Sequence, residues 1–367
     1  MGGFSDADRA HMARALDLAA RGLYSTSPNP RVGCVIVRDG EVLGEGFHLR
    51  AGDAHAEVNA LADAGRRGHD VRGATLYVTL EPCNKAGRQP ACVDAVLAAG
   101  IARVVAAMTD PNPPKSGGAQ RLRAAGVMVE TGLGEESARD LNPGFLSVVT
   151  RGRPWVRTKL AASLDGRTSL TNGQSQWITG PEARADGHAW RARACAILTG
   201  IGTVLQDDPQ LNVRAVATPR QPRRVIVDRH GQTPASARIF EGGGVLIVTA
   251  GERNPAWSSD VDSLVLPDRD GRVDLAAMLK ALAERDILEL HVEAGAKLNG
   301  ALLEADLVDE ILLYLAPAVL GDPARGMFER GSALASLAGR SEFAWHDVQR
   351  VGGDLRIVAR RIATGSD

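Results

Sequence analysis

The 367-residue chain has no apolar run approaching the roughly 18 to 20 residues that cross a bilayer, which argues against a membrane-spanning protein. It also lacks an excess of either charge. Its 43 Lys and Arg are scattered and set against 44 Asp and Glu, for a formal net charge of −1. A protein that tracks a long phosphate backbone carries a basic footprint, so a small molecule is expected as substrate rather than nucleic acid. Cysteine is scarce, and 4 residues at this length cannot form a disulfide scaffold. The beginning of the chain shows no apolar signal core, and Asp6 stands where a myristoylation signal requires Ser or Thr, so a cytoplasmic location is expected.

What is present is ordinary for a globular protein: 44% hydrophobic and 24% charged residues, in a chain long enough for two cores. Ser5 and Asp8 resemble a capping box, and Met12, Ala15, Leu16, Ala19 and Leu23 recur at helical spacing, predicting a helix over 6–22. "CVIV", Asp39-Gly40 and "VLGEG" predict a β-hairpin. "HAEVNALADAG" predicts a helix ended by Gly65. "ATLYVTL" reads as a strand, Pro90 as the opening of a further helix, and "ARVVAAM" as another strand. Alternating strands and helices make this an α/β layered domain, assigned to residues 1–150.

From Asn142 to Pro154 the sequence is rich in Pro, Gly and Arg, and after it the alternation restarts, defining a second domain over 151–367. "VRTKLAAS", "CAILTG", "RRVIVD", "GVLIVTA", "LELHVEAG" and "DEILLYLAP" read as strands, with a helix opened by Thr179, Pro181 and Glu182. "EGGG" at 241–244 reads as a turn, and neither an internal repeat nor a low-complexity tract occurs.

Within the first domain, His55 and Glu57 stand at a helix start, and Cys83 and Cys92 flank the approach to another. One imidazole and two thiolates make three ligands for zinc, and a catalytic zinc site keeps a fourth position for water. Helix N-termini favour thiolate over thiol. Glu57, two residues from His55, is placed to carry protons rather than to ligate. Zinc lowers the pKa of water to roughly 7, and a carboxylate can then pass a proton to departing ammonia, which is hydrolytic deamination. Zinc deaminases carry H-x-E followed by P-C-x-x-C; here His55-Ala56-Glu57 and Pro82-Cys83 fit, but the second Cys follows after eight residues. The bland alternative is a structural zinc clip or two unrelated buried thiols. Cys34 and Cys195, in apolar strand-like settings, read as core thiols.

Taken in order, "SPNPRVGCVIV", "GEGFHLRAG", "HAEVNAL", "TLEPC", "DPNP", "KLAASLDGR", "SQWITG", "GTVLQDDP" and "VEAGAKLNGALL" resemble the bifunctional riboflavin-biosynthesis deaminase-reductase family over almost the whole chain. The resemblance implies a cytidine-deaminase-like three-layer domain joined to a dihydrofolate-reductase-like domain. It implies zinc-dependent deamination of 2,5-diamino-6-(5-phosphoribosylamino)pyrimidin-4-one. It then implies NADPH-dependent reduction of the ribose of 5-amino-6-(5-phosphoribosylamino)uracil to ribityl.

By this resemblance Asn29, His48, Lys85 and Arg88 serve the deaminase substrate, and Ser175, Arg191, Leu211, Arg214 and Glu293 serve the reductase substrate. Ala161, Trp177, Thr203 and Asp207 line the NADPH site, and Gly295, Ala296, Lys297, Leu298, Asn299, Gly300 and Ala301 cradle its phosphates. Asp207 is the candidate for assisting proton transfer, while Lys159 is read as structural. A homo-oligomer is expected. The family usually has Ser-His at the start of the inter-cysteine segment, where this chain has Asn84-Lys85. Deamination with altered substrate affinity is expected from that change. A reductase with an impaired deaminase domain, a nucleoside or tRNA deaminase with an unrelated C-terminal domain, and a scaffold with a decayed first domain are the alternatives.

Overall fold

The computed structural model describes residues 3–85, 87, 90–321 and 323–362, and the chain divides into two compact units between Gly152 and Arg153. The first unit contains α1 (Asp6–Ala20), β1 (Gly33–Arg38), β2 (Glu41–Phe47), α2 (Ala56–Arg66), β3 (Thr75–Val78) and α3 (Cys92–Ala98). These are followed by β4 (Arg103–Ala106), α4 (Gly118–Ala124), β5 (Met128–Thr131), α5 (Glu135–Leu141) and α6 (Pro143–Arg151). Its sheet has the order β2-β1-β3-β4-β5; β1 is antiparallel to both neighbours, and β3, β4 and β5 are parallel.

Ser5 caps α1 as a true capping box: Asp8 N–H donates to the Ser5 hydroxyl, and Ser5 N–H donates to the Asp8 carboxylate. α1 stops two residues short of the 22 expected. α2 runs through Gly65 to Arg66, and the positive φ that favours glycine falls instead at Gly68, at 76°. α3 begins at Cys92 behind Ala91, two residues after Pro90.

Small residues determine where α2 lies. A Cβ on Gly44 would sit 2.3 Å from the Ala60 carbonyl oxygen, and one on Gly46 would sit 2.4 Å from the Ala60 nitrogen. The facing residues Ala56, Ala60 and Ala64 are fully or almost fully buried. This close approach of helix to hairpin fixes the height of the first turn of α2 above the sheet, and with it His55 and Glu57.

The second unit contains β6 (Trp155–Ser163), β7 (Arg167–Ser169), α7 (Pro181–Arg193), β8 (Ala196–Gly200), α8 (Ile201–Asp207), β9 (Arg223–Val227) and β10 (Val245–Thr249). β11 (Asp262–Val265), α9 (Leu275–Ala283), β12 (Glu289–Val292), α10 (Ala296–Glu304) and β13 (Glu310–Ala316) continue it. β14 (Arg325–Gly326), β15 (Phe343–Val351) and β16 (Asp354–Arg361) complete the strands. The main sheet has the order β11-β10-β9-β8-β12-β6-β13-β16-β15, parallel from β11 to β13, with β16 and β15 added antiparallel. α7 is capped by Gly180, whose N–H donates to Asp354, rather than by Thr179. The turn expected at 241–244 is present, and Gly242, Gly243 and Gly244 all have positive φ.

A charged cluster is sealed inside this sheet. Arg157 on β6 lies opposite Glu310 on β13, and its side chain is 1% exposed. It bonds to Glu310 and approaches Glu289 at 3.3 Å; Arg193 bonds Glu289 at 2.8 Å and Arg360 bonds Glu310 at 3.1 Å. The Arg157 guanidinium stands 4.6 Å from the Trp190 ring centre. Five charges thus share partners where an isolated ion would be prohibitively costly.

Candidate functional site

His55 is the N-cap of α2, Cys92 is the first residue of α3, and Cys83 follows the C-terminal end of β3 by five residues. Their ligand atoms all lie within 4.8 Å of one another, with His55 Nδ1 3.2 Å from Cys92 Sγ and 3.6 Å from Cys83 Sγ. Cys92 N–H donates to Cys83 Sγ at 3.3 Å. Cys83 is pulled down to about 4, first by the Cys92 thiol and then by His55 and this backbone donor; Cys92, giving its proton to Cys83, is pushed up. A set of one half-buried imidazole and two buried sulfurs, one of them held as thiolate, suits zinc and leaves one tetrahedral position uncommitted.

Glu57 is 3% exposed, and burial pushes its carboxyl up to about 7. A carboxyl poised near neutrality beside such a centre can both take and return a proton. His48 closes the opposite wall, its ring edge-on to His55 with centroids 5.2 Å apart. Asn29 Nδ2 lies 2.9 Å from His48 Nε2, and His48 Nδ1 lies 3.0 Å from the Ala54 carbonyl oxygen. Burial lowers the His48 pKa, so it stays neutral, donating from Nδ1 to Ala54 and accepting at Nε2 from Asn29. That leaves the Asn29 amide oxygen as an acceptor for a substrate amine. Asn29 is also the turn residue its flanking prolines suggest, since its N–H donates to Thr26 O.

Three supports escaped the sequence reading. Asn59 Nδ2 donates to the carbonyls of Phe47 and Ala54, tying the His48 loop to α2. Glu81, buried, accepts from Asp110 N–H at 2.9 Å and from Ala119 N–H at 2.8 Å. It thereby anchors both ends of the "DPNP" loop beside Cys83. Gly118 lies against Pro82 so closely that a Cβ would be 1.8 Å from the Pro82 carbonyl oxygen. Gly118→Ala must therefore push Pro82 and Cys83 aside. Zinc affinity should fall by about 10- to 100-fold, as for other residues that hold a ligand in place. Titration with a competing chelator measures the loss. Arg88 lies outside the described residues.

In the second unit, β8, β12 and β6 are neighbours, and their C-terminal ends carry most of the expected residues. In parallel sheets ligands bind at these ends. Arg191 on α7 meets Glu293, just past β12, through two bonds of 2.5 and 2.8 Å, and donates to Asn212 O. Arg214 donates to the Asn212 side chain, and Leu211 is buried with φ 47°. Arg191, Leu211, Arg214 and Glu293 thus gather in one place. Burial opposes ionisation of Glu293, but Arg191 overcomes it and holds the carboxyl well below the usual range.

His188 and Lys159 join this group. Arg214 N–H donates to His188 Nδ1 at 3.4 Å, and burial with Arg191 and Arg214 nearby lowers His188 to about 4. Lys159, read from sequence as structural, interacts electrostatically with Glu293 and Arg191, and burial lowers its pKa. It shares the charged surroundings of Glu293 and Arg191.

Ala161 lies on β6, Thr203 within α8 and Asp207 at the end of α8, where Asp207 is exposed on the surface. Trp177 is 67% exposed, with Arg184 4.5 Å from its ring centre, and Ser175 is half-buried two residues before it. Gly295 caps α10, and the first bond of the helix is Asn299 N–H to Gly295 O, so the N–H groups of Ala296, Lys297 and Leu298 point out of its first turn. Asn299 and Gly300 turn inward instead: Asn299 is 1% exposed, and a Cβ on Gly300 would be 1.8 Å from Glu329 O. The structure gives these two a packing task, and only the first turn presents N–H groups outward.

Fold and site together define a metal-dependent nucleobase deaminase unit of the His-x-Glu, Cys, Cys kind, followed by a second α/β unit with its own polar pocket. Comparison with known proteins agrees. The cytidine and deoxycytidylate deaminase zinc-binding region matches residues 5–108, and the RibD C-terminal domain matches 154–355. The riboflavin biosynthesis protein RibD of Escherichia coli is 46% identical over 95% of this chain and 98% of its own length, and that of Aquifex aeolicus 39% over 96% and 98%. Two solved structures superpose with a TM-score of 0.88, each covering 97% of this chain and 99% of its own. One is RibD of Acinetobacter baumannii at 43% identity. The other is the diaminohydroxyphosphoribosylaminopyrimidine deaminase/5-amino-6-(5-phosphoribosylamino)uracil reductase of Thermotoga maritima at 35%. The chain belongs to the RibD family of riboflavin biosynthesis proteins.

Proposed function

We propose that the first unit hydrolytically deaminates 2,5-diamino-6-(5-phosphoribosylamino)pyrimidin-4-one and that the second reduces the ribosyl group of the resulting uracil compound with NADPH. The observation that carries the first half is the convergence of His55, Cys83 and Cys92 on one point beside buried Glu57. His55, Cys83 and Cys92 would hold zinc, which when bound supplies a hydroxide-like nucleophile at neutral pH. Glu57 takes the proton released at the nucleophile and delivers it to the exocyclic nitrogen, which leaves as ammonia. Asn29 and His48 orient the aminopyrimidine. The reading with a decayed first unit is disfavoured, because the donor set and its supports are intact.

In the second unit, Arg191 and Glu293 hold the sugar, with Leu211 and Arg214 beside them. The first turn of α10 would receive a cofactor phosphate, with Lys297 and Arg229 the candidate partners for a 2′-phosphate that separates NADPH from NADH. NADPH, when bound there, would supply the hydride that C1 of the opened ribose receives. Asp207 and Lys159 are the groups available to accompany it with a proton, and Lys159 is the better placed because it lies beside Glu293 and Arg191. The free thiols and the near-neutral charge fit a cytoplasmic enzyme acting on a small metabolite. No helix among the described residues is long and apolar enough to cross a membrane.

The test supplies zinc-assayed protein with the diaminopyrimidine phosphate, without and then with NADPH, while ammonia and NADPH absorbance are followed. Ammonia first and NADPH consumption second is the expected order. Arg191→Lys keeps the charge but not the two-point grip on Glu293. It should cost the reductase about 10- to 100-fold in kcat/KM, the worth of one charged hydrogen bond, with ammonia release unchanged. Consumption of NADPH without prior ammonia release would overturn the order.

A further inference from the structure

We infer that Lys115, in the loop after β4, is the residue with which the deaminase site recognises an anionic phosphate ester on its substrate. The inference rests on the deaminase reading of the first unit and concerns a residue that this reading does not use.

Two loops meet at the mouth of the site, the segment after Cys83 and the segment 110–118. They are clasped at both levels of the chain: Asn84 N–H donates to the Lys115 carbonyl oxygen at 2.9 Å, and Lys115 Nζ donates to the Lys85 carbonyl oxygen at 3.1 Å. Gly118 against Pro82, and the Glu81 carboxylate holding Asp110 and Ala119, prevent the second loop from sliding. Lys115 is consequently a fixed ammonium rather than a waving surface lysine. It reaches over the inter-cysteine segment so closely that a Cβ on Gly87 would be 2.5 Å from Nζ. It is also near enough to the centre to bear electrostatically on His55 and Asp110.

This charge has no carboxylate partner among the described residues. The neighbouring acids are otherwise engaged: Glu81 by two backbone N–H groups, Asp94 by Arg121 at 2.5 Å, and Asp110 by Asn112 N–H. An ammonium has three donors, and the Lys85 carbonyl takes one, so two remain to offer. Lys85 itself is exposed on the same rim. A phosphate ester carries about −1.5 to −2 charges at pH 7 and has oxygens that accept such donors. Lys115 with its two open donors thus makes this rim an anion seat.

The test compares wild type with Lys115→Met and Lys115→Arg on two compounds, the diaminopyrimidine ribosyl phosphate and the same compound after phosphatase treatment. Lys115→Met should raise KM for the phosphorylated compound by about 10- to 100-fold at nearly unchanged kcat, the range for a hydrogen bond to a charged group. On the dephosphorylated compound it should match wild type, and Lys115→Arg should restore most of the loss. Zinc content and NADPH-dependent reduction serve as controls that the chain is folded. Equal kinetics of wild type and Lys115→Met on the phosphorylated compound, or an equal loss on both compounds, would overturn the inference. If wild type deaminates neither compound, the deaminase reading itself fails. Calorimetric titration of inorganic phosphate into wild type and Lys115→Met then decides about Lys115 alone: weaker binding by the variant supports the seat, and identical binding removes it.

Discussion

Glu57→Gln should lower ammonia release by about 10²- to 10⁴-fold while the protein keeps its zinc, the range expected for loss of a positioned proton carrier. The substitution is nearly isosteric, so α2 and its cap at His55 have no reason to move, and the metal donors are untouched. What is lost is the ability of one buried side chain to accept a proton and give it back. Burial holds the native carboxyl near neutrality, so proton uptake and return are both inexpensive at working pH. An amide in the same place can hydrogen-bond but cannot carry the proton between the two atoms that need it. Zinc analysis beside the ammonia assay separates this from a collapsed site. Retained deamination at normal zinc content would remove Glu57 from the mechanism.

The second large effect concerns stability. Arg157→Met removes the centre of the buried cluster in the second unit, taking from Glu310 and Glu289 a guanidinium that both contact. Breaking a buried ion pair from one side typically costs about 3–5 kcal/mol, because the remaining charge stays in a poor solvent. For a unit of roughly 200 residues that amounts to a fall in Tm of about 6–20 °C. Calorimetry should show the reductase transition moving by this amount. Replacing Arg157, Glu289 and Glu310 together by apolar residues of similar volume should recover part of the loss, since the charges then left, Arg193 and Arg360, are the less buried members of the cluster. If the single variant melts like wild type, the cluster is a bystander.

Much of the first unit was legible because its signals are local. The capping box at Ser5 and the hairpin turn at Asp39-Gly40 each declare themselves within a few residues, and the reactive quartet falls in two short stretches, His55-Ala56-Glu57 and Cys83 to Cys92. Six of the second unit's seven parallel strands were equally legible as apolar runs, the exception being β11, which is short and only partly buried. The hairpin of β15 and β16 was not. "FAWHDVQRV" is largely exposed and mixes polar with apolar residues, and its strand state comes from pairing with β16, a partner that sequence does not display. Lys159 and His188 were missed or misjudged for a related reason: nothing in "TKLAAS" or "DGHAW" says that they will face Glu293 and Arg191. Lys115 gave no signal of its own, because its role depends on Asn84, Gly87 and Glu81, up to 34 residues away.

The packing of α2 against Gly44 and Gly46 carries a lesson for anyone judging a relative by its reactive side chains. The distance between His55 and the two sulfurs is set by atoms that are not there: two missing methyl groups on the hairpin, and alanines rather than larger residues where the helix meets them. Fill one of those gaps and His55 and Glu57 are carried off together, each chemically perfect and both out of reach of the cysteines. A descendant could therefore retain every residue that performs chemistry and yet be inert. Its loss of function would be written in glycine-to-alanine changes that an inventory of active-site residues would pass over.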